Sequence, residues 1–553
     1  MDRIYSKGGV LFLYKHVIDK RRIIFILIIY VSVLMLLSVR LYYLQVQPST
    51  QVQGELQNHQ IETLSELNYR ILDTNGKDLL NYKKKYVLVI DSRPFKLNNY
   101  EETLEDLLAL NFIMKSEDTN FNYSDIIALN GKTYYDEITE ETYNKIKKLN
   151  NIKGIYLYVY DMVDSSEGWR IENFIANIRE DNIVEGSFQH QILDIVGENE
   201  YPSISFNLDQ KANYTESILN YGENNKNLKL TINKEWEEKI RDILLDDSYS
   251  FLENIGVVLL ESETGKIRAM VQKDESKANV NLGIGTIGYE PGSIFKVLTE
   301  AIGLDLGKIS SSSVFTCEGK ICTKLGEQYA HGDLTVDEAL QVSCNDIFAK
   351  VGELSGYENM IEYTEKLGLY QKILGLSGEN KEEAAGVKAT YEDGVSNFSI
   401  GQCVTVTPLQ IAGAINAVVN DGVYIKPTII DSIIDNDDNE VEHIEVEGKR
   451  VFSETTAKIV QDSMTNVIWK GTGYEAKVEG ITQGGKTGTS TGEGGKTNHG
   501  WFAGYFEMDG KKYTLLVVAP NIGDNHPDGR ELGGGNTGAP IFRQIINSLI
   551  SNN

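Results

Sequence analysis

Three short motifs in the second half of the chain carry the residue types of serine acyl transfer. They are Ser293-Ile294-Phe295-Lys296, Ser343-Cys344-Asn345 and Lys486-Thr487-Gly488-Thr489, spaced 50 and then 143 residues apart. A serine hydroxyl is a weak nucleophile near neutral pH and needs a base beside it. Residues three apart share a helix face, so Lys296 meets Ser293 if a helix starts near Gly292. Lysine acts as a base only when partly neutral, and burial or a neighbouring cation lowers its pKa toward that state. Lys486 is the candidate for that neighbour. A Ser-x-x-Lys standing alone is usually an ordinary exposed helix turn. The ordered set of three carries the reading.

Ser343 and Asn345, two apart on a loop, suit proton relay and amide recognition. A short helix, Val336 to Val342, precedes them and opens on a Thr335/Glu338 capping box. In a strand, Lys486 and Gly488 face one way and Thr487 and Thr489 the other. Gly488 would let a substrate lie close against the strand backbone. The segment Gly480 to Thr487 also satisfies the P-loop pattern letter by letter. A P-loop needs a helix after its Lys-Thr. Gly488-Thr489-Ser490-Thr491-Gly492 is a poor helix, so nucleotide binding is rejected.

The elements that must position these residues follow from periodicity. A β-hairpin is expected over Ile255–Leu260 and Ile267–Val271, turning at Gly265. Helical periods dominate 293–420, and strands return at Trp501–Tyr505 and Tyr513–Ala519 before a closing helix, Ala539 to Ile550. Strands at both ends with helices between predict one α+β domain whose sheet joins the two ends. Upstream, Tyr86–Ile90 reads as a strand, 100–150 as mostly helical, Ile152–Val163 as a strand pair, and 197–227 as a linker or extended loop.

The chain has 53 basic and 80 acidic residues, a net charge of −27, which argues against nucleic-acid binding. Residues 1–22 hold six basic residues against two acidic ones. Ile23 to Val39 then run uncharged, and Leu41–Leu44 prolong them, with Arg40 able to snorkel to the interface. The basic flank predicts a cytoplasmic tail (1–22), a retained transmembrane signal anchor (23–44) in the plasma membrane, and everything beyond it extracytoplasmic. A texture change at Leu228 divides the rest into an N-terminal region (45–227) and a catalytic domain (228–553).

With these pieces placed, the chain resembles the class B penicillin-binding proteins, monofunctional peptidoglycan D,D-transpeptidases. Besides the three motifs, the resemblance rests on Arg40–Val46, Gly265–Met270, Glu290-Pro291-Gly292, His331-Gly332, Gly401-Gln402, Thr407–Gln410 and His499–Tyr505. It implies a penicilloyl serine transferase (β-lactamase-like) domain, an antiparallel sheet flanked by helices, after an elongated pedestal (dimerisation-type) domain. It implies that Ser293 attacks the penultimate D-alanine carbonyl of a stem peptide and that Lys296 takes its proton. Ser343 relays a proton to the leaving amine, Asn345 binds the substrate amide, and Lys486 supplies positive potential. Thr487 and Thr489 face the substrate carboxylate, and the N–H groups of Ser293 and Thr489 form the oxyanion hole. β-Lactam antibiotics would trap the same serine, no cofactor is required, and a membrane glycan polymerase and other wall-synthesis proteins are implied as partners. No glycosyltransferase domain fits before residue 228, unlike the bifunctional class A. The family's Arg-Gly-x-Ile-x-Asp-Arg-Asn-Gly segment reads Asn68-Tyr69-Arg70-Ile71-Leu72-Asp73-Thr74-Asn75-Gly76 here. Rival readings are a D,D-carboxypeptidase or β-lactamase, or a non-catalytic β-lactam sensor or scaffold.

All four cysteines, 317, 322, 344 and 403, lie in the catalytic half. Cys317-x4-Cys322 with His331 nine residues on is a partial zinc set, which Asp333, Cys344 or Cys403 would complete. Free buried thiols and a Cys317–Cys322 disulfide are the alternatives. Cys403 stands where relatives usually have the third residue of Gly-Gln-Gly.

Overall fold

The computed structural model describes residues 20–46, 59–176, 183–324, 327–377, 382–492, 497–523 and 526–551. Its first element is the helix Lys20–Val46. Within it, the 19 residues Ile24–Tyr42 are apolar enough to cross a membrane and none is buried in the protein. At 1.5 Å per residue they span about 28 Å, close to a bilayer's hydrocarbon core. This is a single-pass anchor ahead of the catalytic sequence.

The chain forms two compact units. One comprises Met1–Glu62, Tyr86–Tyr158 and Ser203–Leu219; the other comprises Thr63–Lys85, Val159–Pro202 and Asn220–Asn553. The first is built on two three-stranded sheets. One orders His59–Thr63, Ser203–Leu208 and Tyr214–Asn220; the other orders Lys132–Ile138, Tyr82–Asp91 and Ile155–Val163. Leu88, Ile90, Phe95, Leu110, Met114, Phe121 and Ile138 make its core.

Three expectations for this half are corrected. The segment 197–227 is not a linker. It holds the hairpin Ser203–Leu208/Tyr214–Asn220, in which Ile204 and Phe206 alternate inward beneath an Asn- and Ser-rich exterior. Asp209 closes its turn by accepting the N–H groups of Lys211 and Asn213 at 2.8 Å each. The charged 100–150 region contains the strand Lys132–Ile138, where Thr133, Tyr134 and Tyr135 favour a pleated surface. The expected pair over Ile152–Val163 is the single strand Ile155–Val163, which Gly154 leads into at φ +74°.

The second unit is centred on a five-stranded antiparallel sheet. Its order is Lys266–Gln272, Gly256–Glu261, Lys511–Ile522, Asn498–Met508 and Gln483–Thr491. The expected hairpin is the first pair, with Gly265 at φ +68°. Gly256–Glu261 pairs directly with Lys511–Ile522, which joins the two ends of the domain as expected. Both faces are covered, so successive residues are apolar in both directions. Val257, Leu259, Phe502, Phe506, Leu515 and Val517 pack under the helices Lys234–Leu244 and Gly538–Ile550. Val258, Leu260, Trp501, Ala503, Leu516 and Val518 face a larger core containing Ile294, Phe295, Leu298, Leu409, Ala412 and Ile415. All residues of the helix Pro408–Val419 are buried, and Thr407 with Gln410 caps it reciprocally. This is the expected α+β class.

Candidate active site

Ser293 lies in a single 3-10 turn, Gly292–Phe295, that runs straight into the helix Lys296–Asp305. In a 3-10 turn, residues three apart eclipse, and Lys296 Nζ stands 3.0 Å from Ser293 Oγ. Gly292 makes the turn fit. It has φ +55°, and a Cβ there would sit 2.6 Å from the carbonyl oxygen of Thr489. Ser490 Oγ ties the same approach by donating to Glu290 O at 2.6 Å.

The Lys296 ammonium is fully buried. It reaches Ser343 O at 2.8 Å, Ser343 Oγ at 3.2 Å and Asn345 Oδ1 at 2.5 Å. Burial pushes its pKa down to about 7, with Cys344 and Cys322 acting in the opposite direction. An amine poised at that value beside a serine hydroxyl can take its proton. Lys486, from the edge strand Gln483–Thr491, places Nζ 3.0 Å from Ser343 Oγ and 2.9 Å from Thr487 O. Burial, and then the Lys296 charge, hold Lys486 well below the ordinary lysine range. Lys486 shares Ser343 Oγ with Lys296 as the expected neighbour, but what lowers Lys296 is its burial and not the Lys486 charge.

Ser343 sits between the two amines in an unusual backbone state. Its φ is +58°, the left-handed region that costs an L-residue about 1–2 kcal/mol. The helix Val336–Gln341 ends just before it, capped at its start by the expected Thr335/Glu338 box. The helix Asn345–Ser355 starts just after. Two helix ends fix the loop, and the left-handed residue turns its hydroxyl and Asn345 toward Lys296.

The strand pleat is as expected, with one difference. Lys486 and Gly488 share a face, but the close approach at Gly488 is made by the chain itself. A Cβ on Gly488 would lie 2.9 Å from Ile294 Cγ2 and 3.0 Å from Pro291 O. Thr487 Oγ1 pairs with Thr472 Oγ1 at 2.8 Å, and Thr489 Oγ1 accepts the Gly534 N–H at 3.3 Å. Sequence reasoning missed Thr472 and the Gly533-Gly534-Gly535 segment lying against this strand. The Gly run was their only visible signal. Lys486-Thr487 continues a strand, which removes the P-loop. His499 Nδ1 accepts the Asn521 N–H at 3.0 Å, and burial lowers its pKa to about 4, so it serves the sheet.

The cysteines separate. Cys317, Cys322, His331 and Cys344 place their ligand atoms within 4.8 Å of one another. Cys322 is held low and Cys344 high by their mutual hydrogen bond, the contact of two thiols sharing a proton. Asp333 is corrected out of this group, since it takes the Thr316 hydroxyl at 2.5 Å. So is Cys403, whose N–H donates to Glu290 Oε1 at 2.8 Å and whose φ is +61°. That positive φ is a state that favours glycine, the residue expected at this position.

A nucleophile turn, a Ser-x-Asn loop and a Lys-Thr-Gly strand on this two-faced α+β frame define a penicilloyl serine transferase. The family described as the penicillin binding protein transpeptidase domain matches residues 255–547, over half of the chain, and the chain belongs to that family. It is 27% identical over 573 residues to stage V sporulation protein D of Bacillus subtilis, covering 95% of this chain and 85% of that one. PbpB of Mycolicibacterium smegmatis is 28% identical over 334 residues, 54% of this chain and half of its own length. Among solved structures, a peptidoglycan synthetase from Bifidobacterium adolescentis superposes with TM-score 0.63 at 18% identity, covering 89% of this chain and 96% of that one. Penicillin binding protein 3 from Mycobacterium tuberculosis, complexed with ampicillin, gives 0.59 at 18% identity over 89% of this chain and 96% of its own. These two show the shared fold.

Proposed function

We propose that the protein is a membrane-anchored peptidoglycan D,D-transpeptidase with Ser293 as its nucleophile. One observation carries this: Ser293 Oγ lies 3.0 Å from a buried Lys296 whose pKa stands near 7. Ser293 Oγ attacks the penultimate D-alanine carbonyl and its proton passes to Lys296 Nζ. The N–H groups of Ser293 and Thr489 receive the oxyanion; losing one such donor typically costs about 2.7–4 kcal/mol. Collapse expels the terminal D-alanine, protonated through Ser343, whose hydroxyl touches both amines. Asn345 holds the peptide amide, and Lys486, Thr487 and Thr489 the terminal carboxylate. A second stem peptide's amine then attacks the ester and forms the cross-link. Family membership and the ampicillin-bound relative support β-lactams as acylating agents.

The basic residues before the anchor support a cytoplasmic N-terminus and an extracytoplasmic catalytic unit, where stem peptides are found. A pedestal over 45–227, a catalytic domain over 228–553 and a membrane glycan polymerase as partner belong to the same proposal. Fluorescent penicillin applied to the detergent-solubilised full chain tests it. Wild type should label and Ser293→Ala should not; equal labelling overturns the assignment. Mass spectrometry of products from a donor stem peptide and an acceptor amine separates cross-linking from simple release of D-alanine.

A further inference from the structure

Four side chains that acyl transfer does not use meet beside the Ser343 loop. Cys317 ends the strand Val314–Cys317, which pairs with Gly332–Thr335 in the register Cys317 to Gly332, bringing His331 alongside. The turn after Cys317 returns the chain at Cys322. Asp346 shapes that turn by accepting the N–H groups of Lys320, Ile321 and Cys322 at 2.9, 2.5 and 3.3 Å. Cys344 comes from between Ser343 and Asn345. Cys317, Cys322 and Cys344 are buried, while His331 keeps partial exposure and so offers a route in from solvent.

The spacing is that of a coordination shell. Cys317 Sγ lies 3.8 Å from Cys322 Sγ and 3.4 Å from His331 Nδ1, and Cys322 Sγ lies 3.6 Å from Cys344 Sγ. Tetrahedral zinc, with Zn–S near 2.3 Å and Zn–N near 2.0–2.1 Å, sets S···S edges of about 3.8 Å and S···N edges of about 3.6 Å. The Asp346 N–H points at Cys322 Sγ from 3.5 Å, an outer contact that suits a thiolate. A disulfide between any two of these sulfurs would leave the third thiol and the imidazole facing it without use.

We propose that Cys317, Cys322, His331 and Cys344 bind one Zn²⁺ in a closed structural site, and that the ion positions the loop bearing Ser343 and Asn345. Binding exchanges three thiol protons for the metal, with neutral His331 as fourth ligand. Cys344 is the link. It is covalently between the two polar residues that contact Lys296, and its neighbour Ser343 holds the strained φ of +58°. A metal bond at Cys344 would hold the loop at the residue between Ser343 and Asn345.

Elemental analysis of the full chain, purified in detergent without chelator, tests the binding. About one zinc per chain is expected. Cys317→Ser and Cys344→Ala should each lose it, while Asp333→Asn and Cys403→Ser should keep it. Cobalt exchanged into the wild type should show the intense visible bands of tetrahedral cobalt–thiolate, a readout independent of activity. Zinc far below one per chain, with four thiols free to alkylation or a mass two hydrogens short, overturns the proposal. The positioning half also rests on the acyl-transfer reading. Chelated protein should acylate at least about tenfold more slowly with fluorescent penicillin and recover when zinc is returned. His331→Cys, which preserves a four-ligand set, should retain both metal and rate. An unchanged rate after full zinc removal overturns positioning. Absence of labelling in the zinc-loaded wild type would instead count against Ser293 as nucleophile.

Discussion

Lys296 and Lys486, one from a helix and one from a sheet edge, converge on the same oxygen, with their Nζ atoms 3.2 and 3.0 Å from Ser343 Oγ. Neither is exposed. Two ammonium groups so placed cannot both stay charged cheaply, and each is held below the ordinary lysine range. Burial turns Lys296 from a poor base into a usable one, and the Lys296 charge adds to the burial that holds Lys486 down.

The pH dependence of acylation follows. Lys296 is neutral above about 7 and charged below it. The rate with penicillin should rise with pH and level off above that value, falling about tenfold per unit below it. Stopped-flow labelling from pH 5.5 to 8.5 checks this, and a flat profile would remove Lys296 as the base.

Lys486→Ala should slow acylation by about 10²–10³-fold while the fold persists, because it removes a charge aimed at the reacting centre. Lys486→Arg should not rescue it. The slot is closed to solvent, and a planar guanidinium does not occupy an ammonium's space. Labelling rates with matched thermal melts separate the two effects.

Gly292→Ala combines positive φ with a Cβ 2.6 Å from Thr489 O. Gly480→Ala has φ +84° but nothing within 4 Å of the new Cβ. Gly480→Ala should cost about 1 kcal/mol of backbone strain and keep full labelling. Gly292→Ala should cost more and abolish labelling, since the serine turn must retreat from the strand. Both are read by melting temperature and penicillin capture.

Glu300 supplies a stability test. Burial pushes its carboxyl up to about 8, and Ser463 Oγ donates to it at 2.8 Å. The folded state therefore keeps a proton that the unfolded state sheds near 4.5. The stability this contributes is present at low pH and is lost as pH rises from about 4.5 to 8. Glu300→Gln should remove this slope, a change on the order of a few kcal/mol across the window. Melting curves at pH 5, 7 and 8.5 check it; parallel slopes in both proteins would refute the assignment.

The site was more legible than the frame around it. Ser293 and Lys296 could be paired because three residues along a helical turn fix a contact without any knowledge of the fold. Cys317, Cys322 and His331 were local enough to group, but choosing among Asp333, Cys344 and Cys403 required the loop path that turns Asp333 to Thr316 and delivers Cys344. The hairpin at 203–220 was hidden because only Ile204 and Phe206 mark its inner face amid polar residues. The glycine run at 533–535 was visible but its role was not, nor was that of Thr472, because their links to Thr489 and Thr487 are purely tertiary. Gly488 looked like room for a ligand, and its chemistry could not say that Ile294 fills the space.

The pairing of Gly256–Glu261 with Lys511–Ile522 sets an order of events at synthesis. Strands so far apart in sequence are brought together late, because closing long loops precedes any reward from pairing. Ser293 leaves the ribosome long before the strand that will carry Lys486. The nascent nucleophile therefore has no second amine and no sheet edge beside it until the last stretch of chain has emerged. Capacity to acylate should switch on abruptly once Lys511–Ile522 is available to pair, instead of growing with the chain.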